Sequence, residues 1–448
     1  MTATATGSVS SATLGSYRRG WYAYGWASHV FPTLVTTVFM SRYLPSLAEN
    51  AVGTHGRIHV LGLPIAPGSV FVYTVSASTV LTVLLMPVVG AFADRSGRKR
   101  DILCGFGALG ALACVGMFFA RGDDWPLGVA LYALAFTAYS CAAVVNYALL
   151  VDLSDHSDRD RISSFGWGFS YLGGGLLLAA SFVLSLFLDD DALLARLAMG
   201  ASGVWWLVFM LPTLRRLPRL LQTSRERPDA GGSTVTEGFR QLARTLRSLR
   251  AFPLTLFFLA AFLVYNDGIQ TVTTVAAQYG QDELDLSDST LLSSILVVQF
   301  VAFGGAVWLG RLADRFGAKR VVLASLVVWS AIIFAAYALE RGQAWQFYVL
   351  AVAIAIVLGG SQALSRSMFS RMIPAGQEAE YFGFYEISDS GTSWLGPLIF
   401  GITLQTTGSY RSALASLVAF FVVGFVLLAL VPVRRAIERA GNVAPEKV

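Results

Sequence analysis

Two copies of one charged turn, each set between long apolar runs, limit the folds open to this chain. Residues 90–100 read GAFADRSGRKR, and residues 310–320 read GRLADRFGAKR. The flanking runs reach about twenty residues, the length at which a helix crosses a hydrocarbon core of ~30 Å. Two halves that repeat one plan, each with a charged turn between membrane spans, are typical of a secondary transporter.

The composition favours the same class of protein. Of the 448 residues, 55% are hydrophobic and only 14% are charged, whereas soluble proteins carry about a quarter charged residues. Within lipid every backbone polar group must be paired inside the chain, and alternating strand patterns are absent here. We therefore predict an all-α membrane protein with twelve transmembrane helices in two pseudo-symmetric six-helix bundles.

The apolar runs give approximate positions for these helices. The first six are predicted near 20–44, 69–93, 101–120, 127–152, 164–188 and 195–214. The second six are predicted near 252–279, 289–312, 320–339, 345–373, 381–406 and 411–433. The predicted domains are a disordered tail at 1–16, bundles at 17–214 and 252–433, a cytoplasmic linker at 215–251 and a cytoplasmic tail at 434–448. The linker includes a short amphipathic run at 236–249.

The basic residues indicate an orientation. With the N-terminus inside, most of the 33 lysines and arginines fall in the inner segments, as the positive-inside rule requires. The six outer residues are Arg42, Arg57, Arg121, Arg196, Arg341 and Arg411. We expect a multi-pass protein of the plasma (inner) membrane with both termini in the cytoplasm. The net charge of +5 then reflects topology and anionic lipid, so no nucleic-acid partner is expected.

The doubled turn is predicted to act as a gate. Its first glycine would let a neighbouring helix approach closely, and its second suits a tight turn. Its aspartate can face the positive end of a helix or pair with an arginine. Such contacts would hold the inner side shut. The predicted gating residues are Gly90, Asp94, Arg95 and Gly97, with Gly310, Asp314, Arg315 and Gly317 in the second copy. The alternative is that each basic turn only anchors topology.

This turn is the loop signature of the major facilitator superfamily, which the chain resembles over nearly its full length. The segments FLVYNDGIQT at 262–271, GGSQALSRSMF at 359–369, YFGFYE at 381–386 and WLGP at 394–397 resemble its vacuole-effluxer-like branch. The resemblance implies amino-acid release from the vacuole in fungal members and plasma-membrane permeases in bacterial ones. Residues 24–29 read YGWASH where the family favours YDWANS, which leaves a different substrate or coupling ion open.

Asp267 is the most informative polar residue inside an apolar span. An ionisable group in the bilayer costs several kcal/mol unless it is paired or hydrated. Asn266 and Gly268 flank it, and Gln270 lies one turn away. Glycine there would permit local unwinding that exposes backbone to a ligand. We predict a proton or substrate-amine site, and the alternative is a structural aspartate that caps a broken helix.

Arg366, Glu386 and Asp389 are predicted to lie at similar depth in helices 10 and 11. A buried arginine–carboxylate pair is costly to desolvate and more costly to leave broken. Three interpretations stay open: an inner gate whose ion pairs exchange, an Arg366 that binds a substrate carboxylate, or a static pair between two helices.

Weaker candidates lie in other spans. His29 shares helix 1 with Trp26, and its imidazole suits either packing or proton coupling. Asn146 and Gln299 could line a cavity or bond a neighbouring helix.

Several sequence patterns do not indicate a nucleotide, metal or disulfide site. The glycine spacing at 105–110 has no preceding strand, and no phosphate-binding loop occurs. Cys104, Cys114 and Cys141 fall in predicted spans and suit packing. Asp155 and His156 lie in a short loop without further ligands. We expect no metal, no cofactor and no cleavable signal peptide.

These observations predict a secondary transporter, not an enzyme. The expected cargo is a small polar solute, an amino acid or related metabolite, exported by alternating access and driven by protons or another coupling ion. The chain is expected to work as a monomer. The alternatives are a drug or sugar permease, a membrane receptor or scaffold, which would need a soluble signalling domain, and a membrane enzyme, which would need clustered catalytic groups.

Overall fold

A computed structural model describes residues 11–53, 56–60, 63–155, 158–218, 252–390 and 395–447. The predicted amphipathic run at 236–249 and most of the predicted linker lie outside these residues. In chain order the first elements are α1 (Ser11–Ser28), a π-helix (Phe31–Met40), α2 (Ser41–Val52), β1 (Ile58–Val60), β2 (Leu63–Ile65), a 3-10 turn (Pro67–Ser69), α3 (Val70–Ser96), α4 (Lys99–Met117), α5 (Trp125–Leu153), α6 (Arg159–Ser185) and α7 (Asp191–Arg216).

The remaining elements follow residue 252. They are α8 (Pro253–Gln278), a π-helix (Tyr279–Glu283), α9 (Asp288–Phe316), α10 (Ala318–Tyr337), α11 (Ala344–Arg371), α12 (Glu378–Ser390), α13 (Leu395–Thr407), α14 (Tyr410–Ser416), α15 (Val418–Leu430) and α16 (Val433–Arg439).

Ten helical spans among the described residues are long and apolar enough to cross a membrane. The protein is therefore an all-α, multi-pass membrane protein, as predicted. The predicted first helix is divided into α1, a π-helix and α2. The described parts of the predicted eleventh helix are α12 and α13, and residues 391–394 lie outside the described residues. The count of twelve spans stays a prediction.

Local sequence explains where several helices begin and end. Asp190 and Ser287 accept hydrogen bonds from the backbone N–H groups of Leu193 and Thr290, so they cap α7 and α9. Gly97 ends α3 at φ +64°, and Gly317 ends α9 at φ +90°. The tight turns predicted at both glycines are confirmed, because such backbone angles favour a residue without Cβ.

The described residues form two compact units. The first comprises those within Met1–Leu153 and Leu176–Arg240, and the second those within Ser154–Gly175 and Gln241–Val448. The first half of α6 thus belongs to the second unit, although we predicted all of α6 within 17–214. In the first unit, α4 and α7 approach closely at Gly203, where a Cβ would meet the Val115 backbone nitrogen at 2.7 Å. In the second, Trp329 stacks on Phe421 with centroids 5.6 Å apart.

Two local predictions need correction. The tail predicted as disordered at 1–16 already forms helix from Ser11. The first span was predicted as one helix at 20–44, but Phe31–Met40 is π-helical with Pro32 in its first turn. Proline has no N–H and cannot continue the preceding α-helical bonding. A short antiparallel hairpin, β1–β2, was not predicted.

Candidate functional site

The first charged turn contains a buried ion cluster within the first unit. The Lys99 Nζ lies 2.9 Å from the Asp152 carboxylate and 3.4 Å from that of Asp94. The three side chains are at most 8% exposed. We predicted a helix end or an arginine as the partner of Asp94 and did not foresee Lys99. Gly90 is buried and Arg95 is exposed.

The second charged turn has the same backbone plan but different contacts. Gly310 lies against α6, and a Cβ there would come within 2.7 Å of the Ser164 Cβ. The close helix approach predicted at this glycine is confirmed. The Lys319 Nζ donates to the carbonyls of Ala429 and Val431, at 2.8 Å each. Asp314 and Arg315 are exposed. The lysines of the two copies have different partners, since Lys99 contacts two carboxylates and Lys319 contacts two carbonyls.

Asp314 lines a cavity of about 320 Å³ in the second unit, next to a buried ion pair. Arg371 Nη2 lies 3.0 Å from the Asp160 carboxylate. Asn442, just after α16, donates to the carbonyls of Arg371 and Ile373 at 2.9 and 2.7 Å. We did not predict this pair from the sequence, since Asp160 and Arg371 lie near predicted helix ends, where charges are common.

Three successive residues of α8 each meet a different partner. The hydroxyls of Tyr265 and Ser365 share a 2.6 Å hydrogen bond. The Asn266 Nδ2 donates to the Asp389 carboxylate at 2.6 Å. Asp267 accepts a 2.8 Å hydrogen bond from the backbone N–H of Gly396, the second residue of α13.

Asp267 lies in the interior of the second unit. The residue is 1% exposed, and its Oδ1 has no hydrogen-bond donor among the described residues.

 The hydroxyl of Thr271 donates to the backbone carbonyl of Asp267 at 2.7 Å. The backbone N–H of Gly396 thus supplies a donor to one oxygen of the carboxylate. Asp267 can therefore hold a proton on one oxygen while the other contacts α13.

The local unwinding predicted around Gly268 does not occur. Helix α8 runs unbroken from Pro253 to Gln278. A Cβ at Gly268 would come within 2.9 Å of the Phe420 Cβ, so the glycine serves close packing against α15. Gln270 is half-buried, and its carbonyl accepts bonds from the hydroxyls of Thr273 and Thr274.

Arg366 is buried in α11 and contacts the first half of α6. It is 2% exposed, and it donates to the Ser163 hydroxyl and carbonyl at 3.0 to 3.2 Å. Its guanidinium carbon lies 4.7 Å from the centroid of the Trp167 ring. Ser163 and Trp167 were not selected from the sequence, because neither is ionisable. Glu386 and Asp389 are near-neighbours along α12, and their ion pairs with Arg366 stay predictions.

Of the other candidates, Gln299 is buried in α9 of the second unit, and Trp26, His29 and Asn146 belong to the first unit. Trp26 stacks on Trp205 with centroids 6.0 Å apart. His29 is half-buried and lies between α1 and the π-helix. The carbonyl of Asn146 accepts a 2.9 Å bond from the Trp21 indole. Their predicted roles in the substrate or proton pathway stay predictions.

Metal ligands are not grouped in the described part of the chain. Within it, no set of three histidine, cysteine, aspartate or glutamate residues could hold a metal ion. Cys104, Cys114 and Cys141 are buried separately as free thiols.

Solved structures share this fold. A transporter of the major facilitator superfamily, FucP, in its outward conformation aligns with a TM-score of 0.62 at 12% identity, over 93% of this chain and 97% of its own. A double tryptophan mutant of XylE aligns with a TM-score of 0.70 at 12% identity, over 96% and 98%. The predicted major facilitator fold is thus confirmed.

Relatives in sequence carry the assignment further. The MFS-type transporter YxiO of Bacillus subtilis is 30% identical over 419 residues, which cover 92% of this chain and 94% of YxiO. Autophagy-related protein 22 of Kluyveromyces lactis is 27% identical, over 90% of this chain and 91% of its own. Residues 16–441 match the family described as "Vacuole effluxer Atg22 like". The chain therefore belongs to the vacuole effluxer Atg22-like family and is a transporter of the major facilitator superfamily, not an enzyme.

Proposed function

We propose that this transporter exports a small polar solute, an amino acid or related metabolite, by proton-coupled alternating access. The observation that carries the proposal is the buried carboxylate of Asp267. One of its oxygens binds the Gly396 N–H, and the other has no hydrogen-bond donor among the described residues. Such a group is costly in a membrane span and by default indicates a functional site.

Proton binding at Asp267 links charge to a contact between two helices. The ionised carboxylate is stabilised by the hydrogen bond from the Gly396 N–H. A proton neutralises the carboxylate and weakens that contact, so α8 and α13 hold each other less strongly. Loading and release of the proton thereby change the packing of the second unit, which is what coupling to transport requires.

Buried groups of both signs support a zwitterionic solute. Arg366 supplies a guanidinium, which suits a carboxylate. Asp267 and Glu386 supply buried carboxyl groups, which suit an amine. A sugar needs neither charge, so this set of groups favours an amino acid over a sugar.

Direction and location rest on other observations. The family description names an effluxer, which supports export. The concentration of lysine and arginine in one set of loops supports an orientation with both termini in the cytoplasm, and we place the protein in the plasma membrane.

Flux into proteoliposomes tests the proposal. Radiolabelled L-amino acids, a sugar and a cationic drug are supplied one at a time with an imposed pH gradient. We expect amino-acid flux that depends on the gradient, and we expect Asp267→Asn to abolish that dependence while the protein stays folded. Asp123→Asn, in an exposed loop, is the matched control. Normal coupling in Asp267→Asn ends the proton assignment, and flux of only the sugar or drug ends the solute assignment.

A further inference from the structure

The guanidinium of Arg366 is held along its edge by a single serine of α6. Arg366 Nε donates to the Ser163 Oγ at 3.2 Å, and Nη2 donates to the same Oγ at 3.0 Å and to the Ser163 carbonyl at 3.1 Å. Ser163 is fully buried. Three bonds to one residue fix the plane in which the guanidinium lies.

The Ser163 hydroxyl is itself fixed. It donates to the carbonyl of Ala363 at 2.8 Å, one turn before Arg366 in α11. A hydroxyl has one proton to donate and two lone pairs that accept. Here the proton goes to Ala363 and both lone pairs face Arg366, so all of its hydrogen-bonding capacity is used.

The indole ring of Trp167 packs against the flat face of the Arg366 guanidinium. It lies four residues after Ser163, so both side chains share one side of α6. The guanidinium carbon of Arg366 is 4.7 Å from the centroid of the indole ring, within the range of a cation–π interaction. Arg366 is therefore fixed by hydrogen bonds at its edge and by an aromatic ring on its face.

We infer that Ser163 and Trp167 are positioning residues that orient Arg366 to bind the carboxylate of the transported solute. This assignment rests on the proposed function. A carboxylate meets the N–H groups of a guanidinium in the guanidinium plane, so its binding depends on the orientation of that plane. The solute class is a molecule with a free carboxylate, such as an α-amino acid, and its carboxamide binds poorly.

The test compares an acid with its amide. The probe is the radiolabelled L-amino acid that the wild-type protein carries fastest in proteoliposomes, and the competitor is the unlabelled carboxamide of the same amino acid. In Ser163→Ala we expect the KM for the acid to rise about ten-fold, since bonds to a charged group are lost. The maximal rate stays within about two-fold, and inhibition by the amide is unchanged.

Trp167 gives an independent pair of variants. Trp167→Phe keeps an aromatic face and is expected to retain most of the affinity for the acid. Trp167→Leu removes the face and is expected to raise the KM for the acid about five-fold. This pair also carries the test if Ser163→Ala does not fold, which size-exclusion chromatography and thermal melting will show.

Ser170→Ala is the matched control on the same helix. Its hydroxyl donates to the carbonyl of Gly166 within α6, away from Arg366, so KM and maximal rate are expected to stay at wild-type values. An unchanged KM in both Ser163→Ala and Trp167→Leu overturns the assignment. An equal loss of affinity for acid and amide also overturns it, because a structural role predicts that result. A wild-type protein that carries no amino acid overturns the proposed function itself, and this assignment with it.

Discussion

The side-chain amide of Asn266 donates a 2.6 Å hydrogen bond to the carboxylate of Asp389. This bond joins α8 to α12, and Asn266 is fully buried. Interhelical bonds of this kind in membrane proteins contribute about 1 kcal/mol. Asn266→Leu and Asp389→Leu should each lower the melting temperature of the purified protein.

The double variant separates this bond from other effects of the two substitutions. If the bond joins the two helices as described, Asn266→Leu with Asp389→Leu should lose less stability than the two single variants combined. Strictly additive losses would show that the two side chains do not stabilise each other.

Lys99 and Lys319 occupy the same place in the two charged turns but should differ in importance. Lys99→Met leaves two buried carboxylates without their shared cation, and we expect a loss of about 3–5 kcal/mol in stability. Lys319→Met removes only bonds to two carbonyls, and we expect a smaller loss. Chemical denaturation in detergent measures both variants. Equal losses would contradict the asymmetry between the two turns.

Gly97 should be intolerant of a side chain for reasons of backbone conformation alone. A Cβ there would meet nothing within 4 Å, but the residue has φ +64°. Gly97→Ala should therefore cost about 1–2 kcal/mol. Gly105→Ala is the control, since Gly105 lies in α4 with equal space and helical backbone. It should stabilise the protein by about 0.5–1 kcal/mol, and a loss in both variants would point to packing instead.

Gly396 should be needed for the contact between α13 and Asp267. A Cβ there would overlap the hydroxyl of Thr271 and lie 3.1 Å from the Asp267 carbonyl. Gly396→Ala should push α13 away from α8 and lower proton-driven flux in proteoliposomes about ten-fold or more. Gly401→Ala, where a Cβ meets nothing within 4 Å, should keep normal flux. Wild-type flux in Gly396→Ala would show that this contact does not matter for coupling.

Several residues of the candidate site could be selected from the sequence because a charge inside an apolar span is a local signal. Asp267, Arg366 and Glu386 were chosen this way, and all three are buried in the structure. The partners of these residues gave no such signal. Ser163 is a common small residue in a helix, and the Gly396 backbone N–H is present at any residue except proline.

The sequence by itself determined that this chain is a helical membrane protein built on a repeated plan. Hydrophobic runs, basic loops and turn glycines such as Gly97 act through lipid, charge and backbone conformation close to where they stand. Only the tertiary structure decided which groups meet. Ser163 and Arg366 are 203 positions apart, and Asn266 and Asp389 are 123 apart. Hydrogen bonds act over about 3 Å, so these pairings depend on how the helices pack and not on any local pattern.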